Sequence, residues 1–155
     1  MRGSTIFTLL LVLNSLCAVL STNYHFTFHV KLHCGIPYRK VGYNAQFFDK
    51  DYMWFNSDDP ITEPYKTVAP PGDIAFKAEG MLTGDEWLTD FFEVKMVLFH
   101  TCTPSGKAMA VDLVLYPWAY NHYNLEDDKY YRYEFTRNIT ELSGDLVQPA
   151  RLDKT

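Results

Sequence analysis

His25, His29 and His33 recur at every fourth position, and Asp49, Asp51, Asp58 and Asp59 crowd one later stretch, so metal binding is the first chemistry to weigh. The histidines lie in a run, residues 24–34, in which every second residue is apolar. That alternation is a β-strand, because strand side chains point to opposite faces in turn. Four residues along a strand span about 13 Å, whereas zinc holds its ligands at about 2 Å. The three histidines therefore cannot share one ion, and they read as the wet face of the strand. His100 falls on a core face beside Cys102 and reads as a buried, hydrogen-bonded histidine. Carboxylates gathered in a loop suit calcium, but the fixed glycine and distal glutamate of a calcium loop are missing, so the four acids read as solvated turns. No Gly-x-Ser-x-Gly elbow and no His-Glu-x-x-His pair occurs. The expectation is a non-enzymatic protein with no cofactor and no metal.

These residues must be positioned by strands. After the first run, Cys34-Gly35-Ile36-Pro37 breaks the chain, and residues 41–47 alternate again. Residues 63–68 read as a short edge strand, since Pro64 bars a central one. Residues 73–78 form another strand, broken by Gly80, and Thr83 followed by Glu86 allows one short helical turn. Residues 92–102 form a strand whose second face also carries Val97 and Phe99, so it reads as central and covered on both sides. Residues 109–115 and 130–139 add two more, and the segment from Leu142 onward lacks any period and is expected to fray. About seven short strands between turn clusters predict an all-β fold, a two-sheet antiparallel β-sandwich spanning residues 22–142, with a disordered tail at 143–155.

The first 21 residues are read apart from that domain. Arg2 followed by the apolar run 6–20 is too short and too early for a bilayer span and matches a secretory signal peptide. Cleavage after Ser21 or after Ala18 fits the small residues there. Losing this segment removes Arg2 and Cys17, leaving Cys34 and Cys102, an even number for an oxidising compartment, so these two are expected to be bonded. The formal net charge of −5 becomes more negative, and no basic stripe exists, which excludes nucleic acid as a partner. Two aromatic stretches are candidate contact loops: Tyr52, Met53, Trp54 and Phe55, and the loop carrying Trp118, Tyr120 and Tyr123. Asn138-Ile139-Thr140 is an N-glycan acceptor at the end of the last predicted strand.

The order of landmarks supports a further reading. Leu32-His33-Cys34-Gly35-Ile36-Pro37, Val41 with Phe47-Phe48-Asp49-Lys50-Asp51, Asp58-Asp59, Thr67, Gly72, Phe76, Gly80, Glu86 and Phe99-His100-Thr101-Cys102 together resemble the nematode transthyretin-like family of secreted proteins. The resemblance implies a transthyretin-like sandwich, an extracellular or cell-surface location, and binding or signalling through protein or lipid contacts; one family member bridges phosphatidylserine on dying cells to a receptor. It leaves open a homo-oligomer and a small-molecule carrier role like that of transthyretin. The transthyretin fold also hosts a hydroxyisourate hydrolase, but that enzyme's C-terminal Tyr-Arg-Gly-Ser is replaced here by Arg151-Leu152-Asp153-Lys154-Thr155. Two further departures stand out: no second cysteine pair follows Cys102, and the loop from Thr67 to Gly72 is longer than the family's.

Overall fold

The structure, a computed structural model, describes residues 22–51, 57–84, 91–120 and 128–154. Two sheets face one another. The first is built from β1 (Thr22–Cys34), β5 (Gly72–Gly84), β10 (Lys129–Asn138) and β12 (Arg151–Lys154), in the order β12-β10-β1-β5. The second contains β2 (Val41–Asp49), β7 (Val94–His100), β8 (Met109–Tyr116) and β11 (Gly144–Pro149), in the order β11-β8-β7-β2. Along the free side of β2 lie β3 (Asp59–Pro60) and β4 (Tyr65–Ala69). A small ladder, β6 (Phe91–Phe92) with β9 (Ala119–Tyr120), closes one end.

Alternation explains the core. Tyr24, Phe26, Phe28, Val30, Leu32 and Cys34 of β1 are all buried, against Val41, Tyr43, Ala45 and Phe47 of β2 and Val94, Met96 and Leu98 of β7. Phe28 and Phe47 stack across the two sheets with ring centroids 3.7 Å apart. Each such buried ring contributes about 2–3 kcal/mol of transfer free energy. At the opposite end from the small ladder, Cys34 and Cys102 form a disulfide, Cα to Cα 5.9 Å, which joins the end of β1 to the segment after β7.

Several expectations need correction. The sandwich is not purely antiparallel: β1 runs parallel to β10 and β8 parallel to β11. Period-two alternation assigns faces but carries no information about direction, which long-range chain order decides. The described strands number twelve rather than about seven, several of them only two to five residues long. Thr83 and Gly84 end β5, and the residues over which a short helical turn is expected, 85–90, lie outside the described residues. Nor does Gly80 end its strand. It pairs with Phe26 and Thr62, and a Cβ placed there would overlap the Ile61 carbonyl, so its lack of a side chain admits the crossing backbone.

The predicted strand over 92–102 is split at Glu93, and β7 is central in its sheet but only partly covered on its outer face, where Lys95 and Val97 are half-buried and Phe99 is 49% exposed. The expected frayed tail is two strands. β11 and β12 send few side chains inward, Gln148 buried with Leu146 and Leu152 half-buried, so they show no period. Their order comes from backbone pairing onto the edges of β8 and β10, which no local pattern reports.

Candidate contact surfaces

Pairing sets the outer face of the first sheet in rows. Met81, His25 and Tyr130 lie side by side, then Glu79, Thr27 and Arg132, then Lys77, His29 and Glu134, and at the far end Asp73, His33 and Asn138. The histidines thus stand on an exposed, charge-laced surface. His25 pairs with Asp128 at 3.3 Å, and His33 with Asp73 at 2.7 Å. Lys31 also reaches Asp73, and its hydrogen bond, followed by that of His33, holds the Asp73 carboxyl below the usual range. Arg132 and Arg151 meet at Asp153, whose carboxyl is likewise held low, mainly by Arg132. Exposed pairs of this kind contribute little to stability, and the face is a solvated one.

The fold sets the four acids in pairs, Asp49 opposite Asp59 across β2 and β3, and the Asp51 amide donating to an Asp58 carboxylate oxygen at 3.2 Å. Asp49 is buried at the end of β2, Asp59 begins β3, and Asp58 binds Lys95, which Asp112 also contacts at 3.3 Å. Burial opposes the Lys95 charge, but Asp58 and then Asp112 more than offset it, so its pKa is raised. Among the described residues, no group of three or more His, Cys, Asp or Glu side chains is placed to hold a metal. His100 is buried as expected: its Nε2 meets the Leu142 carbonyl at 2.8 Å, and its Nδ1 accepts from the Cys102 amide. Burial pushes its pKa down despite that carbonyl.

Around the disulfide, three segments are pinned together. The Gly35 amide donates to the Thr140 hydroxyl at 2.9 Å, the Ile139 amide to the His33 carbonyl, and the Glu141 amide to the Cys102 carbonyl. Asn138 is exposed here, its carboxamide oxygen accepting from the Thr140 amide and hydroxyl at 3.0 and 2.8 Å.

The other end is aromatic. Phe91 of β6 sits 5.3 Å from Trp118 and 5.5 Å from Tyr120, and Tyr116 lies 6.4 Å from Trp118. Trp118 is 36% exposed, Tyr120 48% and Tyr116 59%. The buried Tyr131 hydroxyl donates to the Tyr120 carbonyl, and Tyr133 donates to the Pro117 carbonyl at 3.0 Å. Burial, together with Tyr24, pushes the Tyr131 phenol up to about 12, so it remains a donor. Lys154 of β12 lies 5.2 Å from the Tyr120 ring centre. The aromatic cluster is therefore carried on braced backbone, not on a free loop. Of the sequence candidates, Trp118 and Tyr120 belong to it; Tyr52, Met53, Trp54, Phe55 and Tyr123 lie outside the described residues. Tyr116 faces outward as the alternation of β8 requires, but that period does not say what lies beside it, and at Phe91 the period itself breaks, since Phe92, Glu93 and Val94 are all buried.

A second exposed surface is an apolar groove of about 480 Å³ on the outer face of the second sheet, bounded by Gly42, Val68, Phe99 and Ala108. Val68 is 66% exposed. Its signal is the apolar second face of β7, expected to be covered, which the structure leaves exposed at Phe99.

No helix among the described residues is long and apolar enough to cross a membrane. No family model matches the chain, and no curated protein matches it. One solved structure, a "putative cell adhesion protein" from Bacteroides ovatus ATCC 8483, aligns with 87% of this chain at 14% identity and a TM-score of 0.29. The chain spans 43% of that protein's length, and a superposition this loose does not establish a common fold.

Proposed function

We propose that this chain is a secreted or cell-surface binding and signalling module of transthyretin-like kind, acting through protein or lipid contacts and without catalysis. The observation that carries this reading is the aromatic cluster at one end of the sandwich, in which Tyr116, Trp118 and Tyr120 are exposed around a half-buried Phe91. Tyr and Trp present large apolar area at small conformational cost, and a braced backbone lowers that cost further. The disulfide fits an extracellular compartment. A glycan on Asn138 would sit at the far end of β10, five residues or about 17 Å beyond Tyr133, which braces the cluster, and leave it free.

The test uses the purified mature protein with phosphatidylcholine vesicles, with and without phosphatidylserine, and with intact cells. Binding to cells or to one vesicle type is expected, weakened roughly tenfold in Trp118→Ala, as for an aromatic anchor. Binding that Trp118→Ala leaves unchanged would count against the aromatic end. A second reading, a carrier of a small apolar ligand, is favoured by the groove at Phe99, whose volume falls in the range of ligand sites. An apolar fluorescent probe that binds the wild type and is lost in Phe99→Asp, with vesicle and cell binding absent, would move the assignment to this reading.

A further inference from the structure

A sheet edge exposes alternate backbone donors and acceptors, and natural proteins blunt such edges with short strands, proline or charge. Most edges here are blunted. β3 has two residues and β12 four; β4 has five, set between Pro64 and Pro70; β11 has six and ends at Pro149. The exception is β5, with 13 residues. One side pairs with β1 throughout, while the other carries, among the described residues, the single bridge from Gly80 to Thr62. Among the described residues, nothing pairs with the outer edge of the stretch from Gly72 to Glu79, and its outward side chains Asp73, Ala75, Lys77 and Glu79 are all exposed.

That stretch is complementary to itself. When a strand pairs antiparallel with its own copy across a twofold axis, the register is named by the residue on the axis, and opposed side chains share a face. With Ala75 on the axis, Asp73 faces the partner's Lys77 and Lys77 faces the partner's Asp73, while Ile74 faces the partner's Phe76. Centring on Phe76 instead opposes Asp73 with the partner's Glu79, and centring on Lys77 opposes two lysines. Charge therefore selects the first register, which also puts the smallest outward side chain where two copies of one residue must meet. The pairing window closes at Gly80, where Thr62 already occupies the edge. Asp73 is engaged within its own chain by Lys31 and His33, and Lys77 by Glu79. These are exposed pairs, with acceptor oxygens open to a further donor.

We propose that two copies of this chain associate edge to edge through residues 72–79 of β5, in the register centred on Ala75, so that the four-stranded sheet continues across a twofold axis into the partner.

Sedimentation velocity of the full mature chain over a concentration series is expected to show a monomer–dimer equilibrium, with association weakened roughly tenfold in Lys77→Glu, which removes two cross-strand attractions and opposes like charges. Register is read separately by cysteine cross-linking. Under mild oxidation Ala75→Cys is expected to give a covalent dimer, because residue 75 meets itself. Lys77→Cys alone should not, whereas a mixture of Lys77→Cys and Asp73→Cys chains should. A protein that stays monomeric at every concentration overturns the proposal, as does a dimer indifferent to Lys77→Glu or cross-linked equally well by Lys77→Cys alone.

Discussion

At the scale of single residues, two positions carry consequences that their neighbours do not share. Gly80 lies in mid-strand, where a glycine normally weakens pairing, yet the Ile61 carbonyl occupies the place of a Cβ. Gly80→Ala must displace backbone, and is expected to cost about 1–3 kcal/mol, as for other overpacked sites; urea unfolding with unchanged stability would show that the crossing can relax. His100 is the second. Its pKa in the folded protein is depressed by burial below the ordinary 6.5, so between the two values the unfolded chain binds the extra proton. Its contribution is present in full above about pH 6.5 and is lost progressively as pH falls from there through the depressed folded value. Unfolding free energies measured from pH 7 to 5 should therefore decline, and His100→Gln, which can still donate to the Leu142 carbonyl, should flatten that decline. An identical slope in the variant would assign the effect to other groups.

At the scale of elements, what matters is how strands far apart in the chain are held together. The disulfide links residues 68 apart, and in the chain-entropy account closing such a loop stabilises by roughly 4 kcal/mol. Cys34→Ser is expected to lower the melting temperature by many degrees; an unchanged melting curve would show that the contacts of Gly35, Ile139 and Glu141 suffice at this end. The strands themselves were largely readable. β1, β2, β8 and β10 announce themselves because each buries one face and wets the other, so every second residue is constrained. β11 and β12 do not, because they add to existing edges through backbone bonds and need only Gln148, Leu146 and Leu152 turned inward. The outer face of β7 misleads for a related reason: Val97 and Phe99 are apolar, but apolarity alone cannot say whether another layer lies above them.

At the scale of the whole molecule, charge and the aromatic end act in opposition on any anionic membrane. The chain carries a formal net charge of −5, more negative without Arg2, so phosphatidylserine vesicles repel it while exposed rings favour insertion. If insertion drives binding, raising the salt concentration screens the repulsion and flotation with phosphatidylserine vesicles should hold or strengthen. Loss of flotation at high salt would instead reveal a local basic site.

Which faces of the long strands are wet and which are dry, and with them the core and the bonded cysteine pair, could be read from the residues alone, since each follows from period-two geometry or from the count of thiols. Only the tertiary structure decided the parallel pairing of β1 with β10, the joining of Phe91 and Tyr116 to Trp118 and Tyr120, and the edge of β5 left unpaired among the described residues. Each of these depends on which distant strand lies alongside, and alternation along one strand carries no record of its neighbours.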